Sequence, residues 1–224
     1  MPTHPIDLIT VSREFGSGGS EFAEALGARL GWPVLDRAIV YRVAERLELD
    51  AAVVERLDEH PPTRLSRIAA AMLVLPPELP SAYMAPHEQI GPDEVAGAVR
   101  AVIADAARTP PLVLVGHGAQ CLFQGRPGTV HVRLVAPVEA RAARLAGRLG
   151  CDAARAAPQA RRMDEARGRY IQRHHRRDWT DPLLYDLQVN TGRVAIPDAV
   201  ALVAGLVAGP ARGVGGGAVT TPSP

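Results

Sequence analysis

The stretch from Ile6 to Leu30 constrains this chain more than any other. Ile6, Leu8, Ile9 and Val11 form a short apolar run and predict a buried strand. Phe22, Leu26 and Leu30 recur every four residues and predict a helix with one apolar stripe. Between them lie Gly16, Ser17, Gly18, Gly19 and Ser20. Strand, glycine loop and helix in this order make a place for a phosphate group. Glycine lets the backbone take positive φ and approach an anion closely. The free N–H groups at the helix start then point at that anion, aided by the helix dipole.

The loop is an imperfect version of the P-loop pattern G-x-x-x-x-G-K-[ST]. Arg13 falls on the first glycine, Gly18 on the second, Gly19 on the lysine and Ser20 on the hydroxyl. No other lysine can stand in, because all 25 Lys and Arg residues of the chain are arginines. The alternative is a tight strand-to-helix turn with no ligand.

Length and charge bound the rest. A chain of 224 residues allows one ample core with a small insert. A net charge of +1 creates no global field toward nucleic acid or a membrane surface. No apolar run approaches the roughly 18 residues of a membrane span. The opening MPTHPIDLIT lacks the basic start and apolar core of a signal peptide. Cys121 and Cys151 share no metal or redox spacing and read as reduced thiols. The expectation is a cytoplasmic protein, monomer or homodimer, with neither nucleic acid nor membrane as partner.

The remaining pattern alternates strands and helices. Trp32 to Leu35 predicts a second strand ending at Asp36, with a helix after it. Residues 50–92 are cut by prolines into short helical pieces and read as an insert. Asp93 to Arg108 predicts a helix. Leu112 to Val115 is a continuous apolar strand, as in a parallel sheet, and stops at Gly116-His117-Gly118. Val130 to Val135 predicts the next strand, and Pro137 opens a helix that Gly150 ends. Residues 152–177 are helical and arginine-dense, Tyr185 to Val189 is the last strand, and Asp198 to Val207 the last helix. Together these give an α/β fold: a P-loop NTPase-type parallel sheet with helices on both faces. One domain spans 1–208, with the helical insert at 50–92 and an arginine-rich lid at 150–180; residues 209–224 have no core-forming pattern and read as a disordered tail. Ligands in such folds bind beyond the carboxyl ends of the strands, where the glycine loop, Asp36 and Gly116 fall.

The segments ITVSREFGSGGSEFAEALGARLG and LDRAIVYR, with VLVGHGA, HVRLVAPVEARAAR and DPLLYDLQVNT, resemble the cytidylate kinase-like family. The likeness covers roughly residues 8–207, and SREFGSGG and the DPxxYDLxxNT stretch are its specific parts. The resemblance implies a nucleoside monophosphate kinase fold and phosphoryl transfer from ATP with Mg2+ to a nucleoside monophosphate such as CMP. LDRAIVYR is similar to the LDTGAMYR of true cytidylate kinases, which places Asp36, Arg37, Tyr41 and Arg42 in the substrate pocket. Gly16, Ser17, Gly18, Gly19 and Ser20 would cradle the donor phosphates, and Ser20 and Asp36 would face magnesium. Arg141 and Arg144 match the family's arginine-bearing helix and are expected on the nucleotide. Arg167 and Arg169 match the lid and, with Arg13, are expected to stabilise the transferring phosphoryl group.

Bland alternatives stand beside several of these roles. Asp36 also suits a helix N-cap, and Tyr41 a core-edge aromatic. Arg13 also suits an ion pair with Glu14 or Asp36. Most arginines of residues 152–177 suit a solvated helix face, with Asp164 and Glu165 as partners. Gly116-His117-Gly118 stands where true cytidylate kinases have Gly-Arg-Asp, so His117 lines a pocket whose cytosine readers are absent. Gly19 leaves a second function open: a protein that binds a nucleotide but transfers nothing.

Overall fold

The computed structural model describes residues 5–36, 92–150 and 152–209. The helix expected after Asp36, the insert up to residue 91 and the tail from residue 210 lie outside the described residues. Five strands are present among the described residues: β1 (Leu8–Arg13), β2 (Val34–Leu35), β3 (Leu112–Val115), β4 (Thr129–Val135) and β5 (Leu187–Asn190). The helices are α1 (Gly19–Leu30), α2 (Pro92–Ala106), the single turn α3 (Ala119–Leu122), α4 (Val138–Leu149), α5 (Ala153–His175) and α6 (Ile196–Ala208).

The strands lie in the order β2-β3-β1-β4-β5, and every pairing is parallel. Strand β3 is apolar on consecutive residues because helices cover both faces, whereas β1 and β4 alternate with buried Thr10, Ser12, His131 and Arg133. Leu8, Leu35, Leu112 and Leu114 pack with Val95, Val99 and Ile103 of α2. The alternate residues Ile9, Val11, Val113, Val132 and Leu134 pack with Phe22 and Leu26 of α1 and Val200 and Val203 of α6. From central β1 the chain builds one side of the sheet and then returns to build the other. The crevice at that reversal lies beyond the carboxyl end of β1, where the glycine loop begins.

The elements follow the sequence expectations with small shifts. α5 is one 23-residue helix that includes Pro158 and packs on α4 through Ala142, Leu145, Ala156 and Ala160. It ends at Arg176, which takes φ 57, two residues past the last histidine pair's start. Gly150 caps α4 as expected, with φ 64 and its N–H on Ala146 O. α6 starts at Ile196, ahead of the expected Asp198, because proline is tolerated in a helix's first turn. The short α3 had no sequence signal of its own.

Gly27 shows how closely α1 sits on the sheet edge. A Cβ there would stand 2.9 Å from Trp32 O and press into the Val34 side chain. Gly27→Ala should therefore lower stability by about 1–3 kcal/mol, although alanine is the better helix former by about 1 kcal/mol. A urea-unfolding midpoint that stayed level or rose would show that α1 can move off β2 without cost.

Candidate functional site

The loop after β1 has every carbonyl from Glu14 to Gly18 taken by a hydrogen bond within the protein. Gly16 (φ 84) and Gly18 (φ 87) take the left-handed region, which lets the chain reverse within a few residues. Glu14 O accepts from Ser17 N–H at 3.1 Å and from Ser17 Oγ at 2.8 Å. Phe15 O accepts from Arg141 Nη1 at 3.1 Å, and Gly16 O from Arg144 Nη1 at 2.8 Å. Ser17 O accepts from Thr191 Oγ1 at 2.7 Å, and Gly18 O from Phe22 N–H at 2.9 Å. Among the described residues no carbonyl takes the N–H groups of Gly19, Ser20 or Glu21, the first turn of α1. Those groups and the positive end of the helix dipole are what an anion requires.

Arg141 was expected on the nucleotide, but its placement is that of a brace. The side chain is only 7% exposed. Its Nε donates to Ala136 O at 2.8 Å and lies 3.4 Å from Glu14 Oε2. Its Nη1 donates to Asp164 Oδ2 at 2.6 Å, and Asp164 Oδ1 in turn accepts Phe15 N–H at 2.7 Å. Glu14 Oε2 also accepts Ala136 N–H at 3.0 Å. Arg144 likewise donates to one loop carbonyl, Gly16 O, and its Nη2 donates to Thr191 O after β5 at 3.3 Å.

The front of the loop carries Arg13, Ser20 and Asp36. Arg13 Nη2 lies 3.2 Å from Asp36 Oδ1, and Ser20 Oγ donates to Asp36 Oδ2 at 2.9 Å. The alternative of an ion pair between Arg13 and Asp36 is therefore realised, whereas Glu14 is taken by Ala136 and Arg141. A hydroxyl and one carboxylate beside a phosphate cradle match the chemistry of Mg2+, which keeps most of its shell in water and phosphate oxygens. Among the described residues no group of three or more His, Cys, Asp or Glu could hold a metal by itself.

A cleft opens next to the loop. Ser12, Arg13, Gly116, His117, Gln120 and Arg167 line it, with Gly118, Ala166, Tyr170, Ile171 and Trp179. Arg167 Nη1 donates to Arg13 O at 3.0 Å, and its guanidinium lies 5.6 Å from the Phe15 ring centre. Arg169 does not join this group; it is exposed and lies 3.7 Å from Glu165 one turn away. Arg37, Tyr41 and Arg42 lie outside the described residues.

Sequence reasoning passed over the wall of this cleft. Trp179 is buried and donates Nε1–H to Ser12 Oγ at 2.8 Å. Arg133 on β4 donates Nη1–H to Trp179 O at 2.8 Å and stacks on the Trp179 and Tyr185 rings at 4.8 and 5.3 Å. Tyr185 OH also donates to Trp179 O, at 2.8 Å. The available signal was the WTDPLLY spacing, which places two aromatics in a chain with only 4% of them. Opposite, His117 (φ 53) sits between two positive-φ glycines, and His175 packs against Gly118. Burial, Arg100 and His174 push the His175 pKa down to about 4. Burial pushes the Cys121 thiol up to about 11, so it is no thiolate nucleophile. Among the described residues no helix is long and apolar enough to cross a membrane.

The model of the cytidylate kinase-like family matches residues 8–193. No curated protein matches the chain. Among solved structures, an uncharacterized protein from Eubacterium ventriosum ATCC 27560 superposes with a TM-score of 0.63 at 20% identity, covering 91% of this chain and 99% of that one. Shikimate kinase from Bacteroides thetaiotaomicron gives 0.52 at 15% identity, with 90% and 98% covered. A gluconokinase from Sinorhizobium meliloti 1021 gives 0.50 at 18% identity, with 89% and 93% covered. The five-stranded parallel sheet is thus the fold of P-loop kinases.

Two outcomes follow from this geometry. Arg141→Ala should cost on the order of 3 kcal/mol in chemical unfolding, because it leaves Asp164 and Glu14 shielded and unpaired behind the loop. A loss under about 0.5 kcal/mol, the scale of an ordinary surface change, would contradict the brace. Stability should also fall as pH drops from 6.5 toward 4. There the unfolded chain takes up a proton that folded His175 refuses. His131, whose pKa burial also lowers, adds to the same trend. His175→Gln should flatten the curve in that window, and a parallel curve for the variant would remove His175 as its source.

Proposed function

Because this chain belongs to the cytidylate kinase-like family, we propose that it transfers a phosphoryl group from ATP to a nucleoside monophosphate, CMP being the first candidate. The observation that carries this reading is the loop whose five carbonyls, from Glu14 to Gly18, all accept hydrogen bonds within the protein. The N–H groups of Gly19, Ser20 and Glu21 would cradle the donor phosphates. Ser20 Oγ and Asp36 would hold Mg2+, which when bound neutralises charge on the phosphate oxygens. Arg13 stands at the front of the loop, and Arg167 fixes the carbonyl of Arg13 from α5. Phosphoryl transfer needs little more from a protein than positioning and positive charge, and both are present here.

The acceptor would enter the cleft between the loop and Trp179. Arg37, Tyr41 and Arg42 would grip its phosphate, a role supported by the family resemblance. His117 and Gly118 in place of the Arg-Asp pair of true cytidylate kinases favour a broader acceptor range than cytosine alone. Shikimate kinase and gluconokinase, similar in fold, carry the names of other acceptors. We place the protein in the cytoplasm, as a monomer or homodimer acting on small molecules. The missing P-loop lysine favours a second reading, a nucleotide binder without transfer.

One screen separates these readings. The full chain is incubated with ATP and Mg2+ and, in turn, CMP, dCMP, UMP, AMP, GMP, shikimate and gluconate, and phosphorylated product is measured. The expected result is product from a pyrimidine monophosphate, with CMP the best. Product from shikimate or gluconate alone would replace the acceptor class. ATP binding with no product from any acceptor would favour the binder, and no ATP binding would remove both.

A further inference from the structure

The two ends of the phosphate loop have exchanged their side chains. In the ordinary pattern the first position is glycine and the seventh is lysine. Here the first is Arg13 and the seventh is Gly19. The structure shows that the two changes belong together. The stem of Arg13 runs over Gly19: a Cβ on residue 19 would stand 2.5 Å from Arg13 Cβ, 3.2 Å from its Cδ, and closer still to its Cγ. Side chains at positions 13 and 19 therefore exclude one another.

The guanidinium continues across the front of the loop. Its Nη2 reaches Asp36 Oδ1 at 3.2 Å, the same carboxylate that accepts Ser20 Oγ at 2.9 Å. Its Nη1 abuts Gly116, where any Cβ would run into it. The side chain is 15% exposed, so the charge is well shielded and fixed in direction. Arg141 and Arg144 hold loop carbonyls from behind, and Arg167 holds the Arg13 carbonyl. Among the described residues, Arg13 is the arginine that shares the Asp36 carboxylate with Ser20, at the start of α1.

We propose that Arg13 is the cation of this phosphate loop, reaching the β- and γ-phosphates of a nucleoside triphosphate from the first position through the space that Gly19 leaves. The proposal rests on the phosphate-loop reading above. Gly19 is then the accommodation for a displaced charge rather than the loss of one. Arginine suits the move, because its longer stem and planar fork reach phosphate oxygens from a more distant Cα. The rival role is a purely structural pair with Asp36.

The test is titration of the full chain with ATP and Mg2+ by calorimetry, with thermal melting of each variant read alongside. Arg13→Gln keeps the stem and removes the charge, and should weaken ATP binding by at least about tenfold, the scale of one lost charge-assisted contact. Gly19→Lys alone should lower both affinity and melting temperature, because the new side chain meets Arg13. The double variant Arg13→Gly with Gly19→Lys recreates the ordinary order and should bind within about threefold of the natural chain. ATP affinity of Arg13→Gln within twofold of the natural chain overturns the proposal and leaves the phosphate loop standing. So does a gain in affinity from Gly19→Lys alone. If Arg13→Gln does not fold, the double variant decides: folding with restored affinity supports the exchange, and folding without it overturns it. Failure of the natural chain to bind ATP removes the phosphate-loop reading and the proposal with it.

Discussion

Everything at this site depends on where five carbonyl groups point. A backbone loop carries as many C=O as N–H groups, and it can attract an anion only if the carbonyls face away. Each turned-away carbonyl then needs a donor, since an unpaired one in a shielded place costs about as much as a lost hydrogen bond. The donors come from the loop itself, from α4, from Thr191 after β5 and from α1. Arg141 and Thr191 lie 126 and 174 residues away in sequence from the loop atoms they hold. The phosphate cradle is therefore a tertiary object, complete only when the last strand is in place.

That distance explains what the sequence could and could not tell. Strand runs such as LVLV and the four-residue spacing in α1 are local, and the sheet and helices follow from them. The glycine loop is local too, and its place at the carboxyl end of β1 was legible. Arg141 and Arg144 were legible as arginines near a phosphate site, but a guanidinium serves a carbonyl as well as a phosphate. Only the fold shows which one it meets. Arg133, Trp179 and Tyr185 join β4 to the stretch after α5, a contact with no periodicity to announce it. The insert and the residues Arg37, Tyr41 and Arg42 lie outside the described residues, so the acceptor grip rests on resemblance.

The support around Trp179, which lines the cleft, follows a different logic from the loop. Arg133 is 4% exposed, and among the described residues its Nε has no hydrogen-bond partner and no carboxylate forms an ion pair with it, Asp178 feeling its charge only at longer range. Its charge is supported by two aromatic faces and one carbonyl, an arrangement that favours arginine over lysine because the flat guanidinium can stack. Through Trp179 it reaches Ser12, the residue before Arg13. The same short segment of β1 thus joins the wall of the cleft to the floor of the loop.

If Arg13 is the loop cation, as proposed, the loop's charge would also be permanent. A lysine in a shielded site can lose its proton as its surroundings change, and acetyl transfer can silence it. Arginine does neither, because its guanidinium stays protonated in proteins. With arginine as every Lys or Arg residue of the chain, no side-chain amine exists for an acyl donor to modify. Lysine acetylation would find no target in this sequence, and pH would not switch an arginine loop cation.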